Sequence, residues 1–160
     1  VLERMDGKIP EPDGERRPVP YNRAAGVVVT GNEDGAHRVI SEVAKTLRAL
    51  VRNEDVCARY GGEELGLLLH NIPFGTAVVR CTQFIKAIRS LDLHAVDPAI
   101  PEVKVTISCG LTDTASGESA EEVLQRADQA LYEAKRRGKD RLEVRKSVSA
   151  SRLNPIGTKR

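Results

Sequence analysis

The sequence contains few aromatic residues and no long hydrophobic run. Tryptophan is absent, and only three tyrosines and two phenylalanines occur among 160 residues. No apolar stretch approaches the roughly 18 residues that cross a bilayer, and the first residues, VLERMDGK, lack the pattern of a signal peptide. These absences predict a cytoplasmic protein that makes no contact with membranes.

Cysteine and net charge are also scarce. Cys57, Cys81 and Cys109 lie far apart without a C-x-x-C pair, which argues against a disulfide framework and predicts reduced, buried thiols. The 25 basic and 23 acidic residues give a formal charge of only +2 and are spread in both signs along the chain. Nucleic-acid binders usually concentrate lysine and arginine on one face, so no nucleic-acid partner is predicted.

The patterns that are present predict one folded domain between two unstructured ends. Residues 1–24 carry prolines among many charges with almost no apolar periodicity, which predicts a disordered arm or linker. Residues 25–144 show the periodic apolar patterns of helices and strands and are long enough to bury a core. Residues 145–160 form a basic, serine-containing segment, which we expect to be a flexible tail.

Hydrophobic periodicity predicts the element order β, α, β, β, α, β, α, β. The predicted strands are Gly26–Thr30, one on each side of Gly61–Gly62, Val103–Cys109 and Leu142–Val144. The predicted helices span about 38–52, 77–91 and 120–137. Ser119 and Glu122 have the spacing of a capping box, and Gly138 stands where a left-handed C-terminal cap is expected. The order predicts an α/β (α+β) sandwich, with helices packed on a mainly antiparallel central sheet.

The segment Arg59–Leu65, RYGGEEL, sets two glycines before two glutamates and between two apolar stretches. Glycine permits a sharp turn and the close approach of a ligand, and paired carboxylates hold divalent cations. Taken alone, the segment fits a plain hairpin with solvated glutamates as well as it fits a site for phosphate chemistry.

Four segments together resemble the GGDEF family, the diguanylate cyclases. RYGGEEL is similar to the GGEEF form of its signature, and Val105–Gly110 (VTISCG) to its V-T-x-S-x-G strand. Residues 127–141 (ADQALYEAKRRGKDR) resemble its A-D-x-A-L-Y-x-A-K-x-x-G-[RK]-N-R segment. Arg52 and Asp55 have the R-x-x-D spacing of the inhibitory product site of the family, and five residues separate Asp55 from Gly61. The resemblance covers roughly residues 38–144.

This resemblance implies a reaction between two molecules of GTP that yields cyclic di-GMP, with Mg²⁺ or Mn²⁺ as cofactor. One GTP is held on each of two antiparallel protomers. The 3′-hydroxyl of one nucleotide attacks the α-phosphate of the other, and pyrophosphate leaves. The implied partners are therefore GTP, cyclic di-GMP and a second copy of the domain.

The resemblance also assigns roles to residues. Glu63 is assigned to metal binding and to deprotonation of the hydroxyl, and Glu64 to metal support, while the backbone of the two glycines approaches the nucleotide. Lys135 and Lys139 match the basic positions that reach the terminal phosphates in relatives. The alternative for the lysines is stabilisation of a helix C-terminus, and the alternative for the R-x-x-D residues is an exposed ion pair one helical turn apart.

One segment of the family pattern is missing from this chain. Relatives carry D-x-D-h-F-K-x-x-N-D and then G-H-x-x-G-D, which supply a principal metal ligand and two guanine-reading side chains. Here Val27–Thr30 runs directly into GNEDGAH, in which Asn32 and Ala36 stand where histidine and the guanine-reading aspartate are expected. Glu33 or Asp34 is a candidate replacement for the missing metal ligand.

Three functional hypotheses follow from these features. The first is a diguanylate cyclase domain, active or once active, and the second is a non-catalytic module that binds cyclic di-GMP through Arg52 and Asp55. The third is a structural remnant that serves protein contacts alone. Residues 1–24 look too short and too proline-rich to form a dimerising domain, so we expect a monomer in isolation, although catalysis requires an antiparallel homodimer.

Overall fold

The structure, a computed structural model, describes residues 24–30 and 36–148, with side chains described from Arg38 onward. The elements in chain order are β1 (Ala24–Thr30), α1 (Ala36–Leu50), β2 (Val56–Gly61), β3 (Glu64–Leu69), α2 (Phe74–Arg89), α3 (Leu93–Val96), β4 (Ile107–Asp113), α4 (Ala120–Arg136) and β5 (Leu142–Val144). Apart from the short α3, this order is the predicted one.

The five strands form one sheet in the order β2-β3-β1-β4-β5. Neighbouring strands are antiparallel except for β4 and β5, which run parallel, so the prediction of a mainly antiparallel sheet is confirmed. Strand β1 lies at the centre, where Val28 stands opposite Leu65 of β3 and Cys109 of β4. The centre of the sheet is therefore the strand that precedes GNEDGAH, the segment in which the family pattern is broken.

Helices α1 and α2 pack on one face of the sheet and form the main hydrophobic core with it. Alternate residues of β3, namely Leu65, Leu67 and Leu69, are buried in this core, as the two-residue period of a strand requires. Phe84 and Ile88 of α2 are among the largest fully buried side chains. This face contains most of the apolar surface that the fold removes from water.

Helix α4 packs on the opposite face, mainly over β4, β1 and β5. Ala127 and Leu131 of this helix are buried against the sheet. The capping box at its start is present, since the hydroxyl of Ser119 accepts a hydrogen bond from Glu122 N and the Glu122 carboxylate accepts one from Ser119 N. Gly138 has a φ of 108°, so the predicted left-handed cap also forms.

Two predicted boundaries differ from the structure. The alternating segment that begins at Val103 enters the sheet only at Ile107, because Ile107 pairs with Thr30, the last residue of β1. Thr30 is the last β1 residue that the structure describes, and residues 103–106 are not part of a described strand. The four residues of α3, capped by the Asp92 carboxylate, are too few to show a helical period in the sequence.

The α4 face of the sheet is covered unevenly. Only five residues join β1 to α1, and within the described residues α4 lies over the β1, β4 and β5 side of this face. Val56 and Tyr60 of β2 are exposed. An apolar strip at the β2 edge of the sheet, which contains these two side chains, therefore stays in contact with water.

Several predictions fall partly or wholly outside the described residues. The predicted N-terminal arm lies outside the described residues except for Ala24, and so do residues 149–160 of the predicted tail. The beginning of that tail is packed on the domain, because Ser147 is buried and donates its backbone N–H to the Asp113 carboxylate. Cys81 and Cys109 are buried as predicted, but Cys57, on the edge strand β2, is only half-buried. None of the described helices is both long and apolar enough to cross a membrane.

Candidate nucleotide site

The glycine-glutamate signature forms the tip of the hairpin between β2 and β3. Gly61 pairs with Glu64, and Gly62 has a φ of 37°, in the left-handed region that favours glycine. The Arg59 side chain donates hydrogen bonds from Nε, at 2.8 Å, and from Nη2 to the carbonyl oxygen of Gly62. Arg59 was not singled out from the sequence, although it lies three residues before Gly62 in the same motif.

The fold brings the hairpin next to the C-terminal end of α4. The Lys135 ammonium nitrogen lies 3.9 Å from Glu64 Oε1, and both side chains are partly exposed. Glu63 follows Gly62 in the turn and is half-buried. Two motifs that are far apart in the sequence thus form one charged surface, with the Lys135 ammonium beside the Glu64 carboxylate.

Lys139 lies three residues beyond the end of α4, in an unusual turn. Gly138, Lys139 and Asp140 all have positive φ values, of 108°, 59° and 48°. Such a conformation is costly for residues other than glycine and persists only where other contacts hold it. One such contact is the ion pair between Arg89 and the Asp140 carboxylate, at 2.9 Å, which joins α2 to this turn. The structure describes no direct contact of the Lys139 side chain with the hairpin.

The carboxylates of the hairpin fit a divalent cation only in part. Mg²⁺ is commonly held by one or two carboxylates together with phosphate oxygens of the substrate, and Glu63 and Glu64 match that donor set. Within the described part of the chain, no group of three or more histidine, cysteine, aspartate or glutamate side chains is placed to hold a metal ion. A cation here would depend on nucleotide phosphates for its remaining ligands. Glu33 and Asp34 lie outside the described residues.

Arg52 and Asp55 form the second cluster, at the turn between α1 and β2. The Asp55 carboxylate accepts hydrogen bonds from Arg52 Nε and Nη2, at 3.3 and 3.1 Å, and from Arg52 N and His70 N. Arg80 of α2 binds the same carboxylate at 2.8 Å and also donates to the carbonyl of Leu50. Arg80 lies 25 residues from Asp55, and no local spacing in the sequence indicates this contact.

These contacts determine the charge state of Asp55. Its side chain is fully buried, and burial alone would raise its pKa. The hydrogen bonds from Arg52, His70 and Arg80 outweigh that effect and lower the pKa from 3.8 to about 2. The carboxylate is therefore ionised at neutral pH and holds two arginines, while the Arg52 side chain stays 40% exposed.

Known proteins match most of this chain in sequence. The family model described as "Diguanylate cyclase, GGDEF domain" matches residues 31–141. Diguanylate cyclase DgcP of Pseudomonas aeruginosa is 37% identical over 117 residues, which are 71% of this chain and 17% of that protein. Diguanylate cyclase A of Treponema denticola is 33% identical over 128 residues, covering 79% of this chain and 31% of that protein. The chain therefore spans less than a third of the length of these relatives.

Solved structures share the fold. The crystal structure of the GGDEF domain of DgcB from Caulobacter crescentus, in complex with c-di-GMP, superposes with a TM-score of 0.69 at 25% identity. The match covers 76% of this chain and 77% of that one. The hairpin signature, the sheet order and the family match all point to one assignment, and the chain belongs to the GGDEF domain family.

Proposed function

We propose that the hairpin surface of this domain binds the triphosphate of GTP and that two such domains, facing each other, condense GTP into cyclic di-GMP at a low rate. The observation that carries this proposal is the contact between Glu64 and Lys135, at 3.9 Å. This contact places carboxylates of the turn, which can hold a cation, next to a lysine near the end of α4. A bound triphosphate and its counter-ion require both kinds of group. The names of the relatives support the same reaction class.

The residues of the hairpin have separate tasks in this proposal. The exposed turn at Gly62 lets the nucleotide approach the backbone, and Lys135 offsets the negative charge of the terminal phosphates. Glu63 takes the proton from the 3′-hydroxyl of one GTP. The freed oxygen forms a bond to the α-phosphorus of the other nucleotide as the bond from that phosphorus to the departing pyrophosphate breaks. The same step with the roles of the two nucleotides exchanged closes the ring and releases the second pyrophosphate. A divalent cation, when bound by Glu63 and Glu64, supplies positive charge that stabilises the phosphates.

A low rate is expected because the sequence lacks the metal-binding aspartate and the guanine-reading side chains of the family pattern. The sequence has no D-x-D-h-F-K-x-x-N-D segment, and the described residues contribute two carboxylates rather than three. The loss of the guanine-reading side chains leaves donors and acceptors of the base without protein partners, which weakens selection of GTP.

Incubation with GTP and Mn²⁺, followed by chromatography of the products, tests this proposal. We expect a trace of cyclic di-GMP from the unaltered chain and a further loss of about a hundredfold in Glu63→Ala, the size typical of a lost general base. Glu121→Ala, an exposed glutamate on α4, is the matched control and should leave the trace unchanged. Activity that survives Glu63→Ala would show that Glu63 is not the base. Turnover at the rate of a complete cyclase would show that other groups replace the missing ligands.

A second candidate function is binding of cyclic di-GMP at Arg52, which the Asp55 cluster favours. The buried carboxylate holds the guanidinium in one orientation, and the exposed side of Arg52 can donate a hydrogen bond to a guanine edge or a phosphate oxygen. Because Asp55 is fully buried, Arg52 would contact the ligand and Asp55 would position it. This site lies outside the segment in which the family pattern is broken.

Calorimetry with cyclic di-GMP tests the second candidate. Binding should weaken at least about tenfold in Arg52→Ala, the roughly 1.4 kcal/mol that a lost charged contact costs. It should persist in the double variant Glu63→Ala, Glu64→Ala, which removes the carboxylates of the hairpin. If the double variant loses binding and Arg52→Ala keeps it, the ligand occupies the hairpin surface instead.

A further inference from the structure

Every nitrogen of the Arg52 guanidinium has a partner within the protein. Nε donates to Asp55 Oδ2 at 3.3 Å, and Nη2 donates to Asp55 Oδ1 at 3.1 Å and to the carbonyl of His70. Nη1 lies 2.7 Å from Oε1 of Glu54. An incoming acceptor at this arginine therefore meets a group that is already paired.

The two carboxylates that pair with Arg52 differ in how easily they can be displaced. Asp55 is fully buried and also binds Arg80 and two backbone amides, so its departure would leave two arginines and two amides unsatisfied. Glu54 is 57% exposed and can rotate into water, where its charge is solvated. Nη1 is thus the corner of the guanidinium that a ligand can take over.

The net charge around Arg52 also indicates that Glu54 is the group a ligand displaces. Arg52 and Arg80 carry two positive charges, and Glu54 and Asp55 carry two negative charges, so the four groups together are neutral. A cyclic dinucleotide brings two phosphodiester anions to this neutral surface. Displacing Glu54 from Nη1, or removing its charge, leaves one net positive charge to attract them.

We propose that Glu54 is a built-in competitor of the anionic ligand at Arg52. Its carboxylate occupies Nη1 in the free protein and must give way when a phosphodiester oxygen of cyclic di-GMP binds there. This inference rests on the second candidate function, the cyclic di-GMP site at Arg52. Glu54 thereby lowers the affinity of the site without contacting the ligand.

The expected effect is moderate, because an exposed ion pair is weak and is screened by salt. Glu54→Gln keeps the size of the side chain and removes its charge. It should tighten cyclic di-GMP binding about threefold in low salt. The difference between the two proteins should shrink at about 0.5 M salt, where the Debye length is shorter than at physiological ionic strength.

The experiment is calorimetry of the full chain with cyclic di-GMP at low and high salt, comparing the unaltered protein with Glu54→Gln. Glu121→Gln is the matched control, since it removes the same charge from an exposed position on α4, which packs on the opposite face of the sheet. We expect tighter binding in Glu54→Gln alone, with the gain largest at low salt.

The remaining outcomes separate the competitor from the site itself. If Glu54→Gln binds cyclic di-GMP with the same affinity as the unaltered protein, Glu54 is not a competitor. The same conclusion follows if Glu121→Gln gains as much affinity as Glu54→Gln. In both cases the binding site at Arg52 is retained. If only Glu54→Gln binds, Glu54 masks the site completely and the inference holds. If neither protein binds, both the site and its competitor are overturned.

Discussion

Asp55 links three segments of the chain through one carboxylate. Its oxygens accept hydrogen bonds from Arg52 in the turn after α1, from His70 after β3 and from Arg80 on α2. An ion pair with Arg52 was the alternative interpretation of the R-x-x-D spacing, since residues three apart near a helix end are neighbours, but Asp55 is buried rather than exposed. The contact with Arg80 depends on how α2 packs beside α1, and the sequence contains no local sign of it.

The lowered pKa of Asp55 predicts a specific loss of stability in acid. Since the folded-state pKa is about 2 and the unfolded value is 3.8, protonation favours the unfolded chain. The stabilisation, about 2 kcal/mol, is complete above about pH 5 and is lost as the pH falls through 3.8 toward 2. Urea unfolding at pH 6 and at pH 2.5 measures it.

The variant Asp55→Asn should abolish this part of the acid dependence. At pH 6 it should also be less stable by about 3 kcal/mol, because two arginines lose a buried partner. The control Asp128→Asn changes an exposed carboxylate on α4 and should keep the acid dependence of the unaltered chain. Equal acid dependence in all three proteins would contradict the role of Asp55.

At the level of elements, α4 and β4 are in unusually close contact. The glycine of the V-T-x-S-x-G motif, Gly110, lies beneath α4, and a Cβ atom there would stand 2.3 Å from the carbonyl oxygen of Ala127 and 2.4 Å from the amide nitrogen of Leu131. These contacts are with backbone, which cannot rotate aside. The glycine therefore permits the helix to approach the strand closely and so helps to place Lys135 next to the hairpin.

Replacing Gly110 tests this contact. Gly110→Ala should push α4 away from the sheet and lower the free energy of unfolding by about 3 kcal/mol, the upper range for overpacking. Gly66→Ala is the control, because the added carbon would meet only Ala58 O, at an ordinary 3.9 Å, and should change stability by less than about 1 kcal/mol. Urea unfolding of both variants measures the difference, and similar losses would contradict the close packing.

At the scale of the whole molecule, the exposed part of the sheet bears on self-association. Val56 and Tyr60 of the edge strand β2 are exposed, but Arg59 lies between them in the sequence, and charges on an edge strand oppose pairing with another chain. The catalytic proposal needs two domains that face each other with GTP between them. The exposed surface of the β2 edge therefore favours neither pairing with the edge strand of a second chain nor a stable face-to-face dimer.

We therefore expect the 160-residue chain to be a monomer at about 10 µM without nucleotide. Light scattering at low and high salt measures the mass directly, and the two salt conditions separate a specific dimer from weak charge-mediated contacts. A dimer that persists at both salt concentrations would contradict this expectation and would direct attention to the exposed β2 edge.

The sequence by itself determined the local features of this protein. The turn at Gly61–Gly62, the capping box at Ser119, the helix end at Gly138 and the family pattern follow from residues a few positions apart, where chain geometry leaves few alternatives. The start of β4 could not be predicted in this way, because a strand begins where its neighbour offers hydrogen bonds.

Only the tertiary structure decided which distant groups meet. It brought Lys135 to Glu64, Arg80 to Asp55 and α4 onto Gly110. Each of these contacts joins elements that are separated in the sequence, and their distance depends on how whole helices pack on the sheet. The charge at the two clusters, and with it the chemistry proposed for them, arises from that packing rather than from the spacing of residues along the chain.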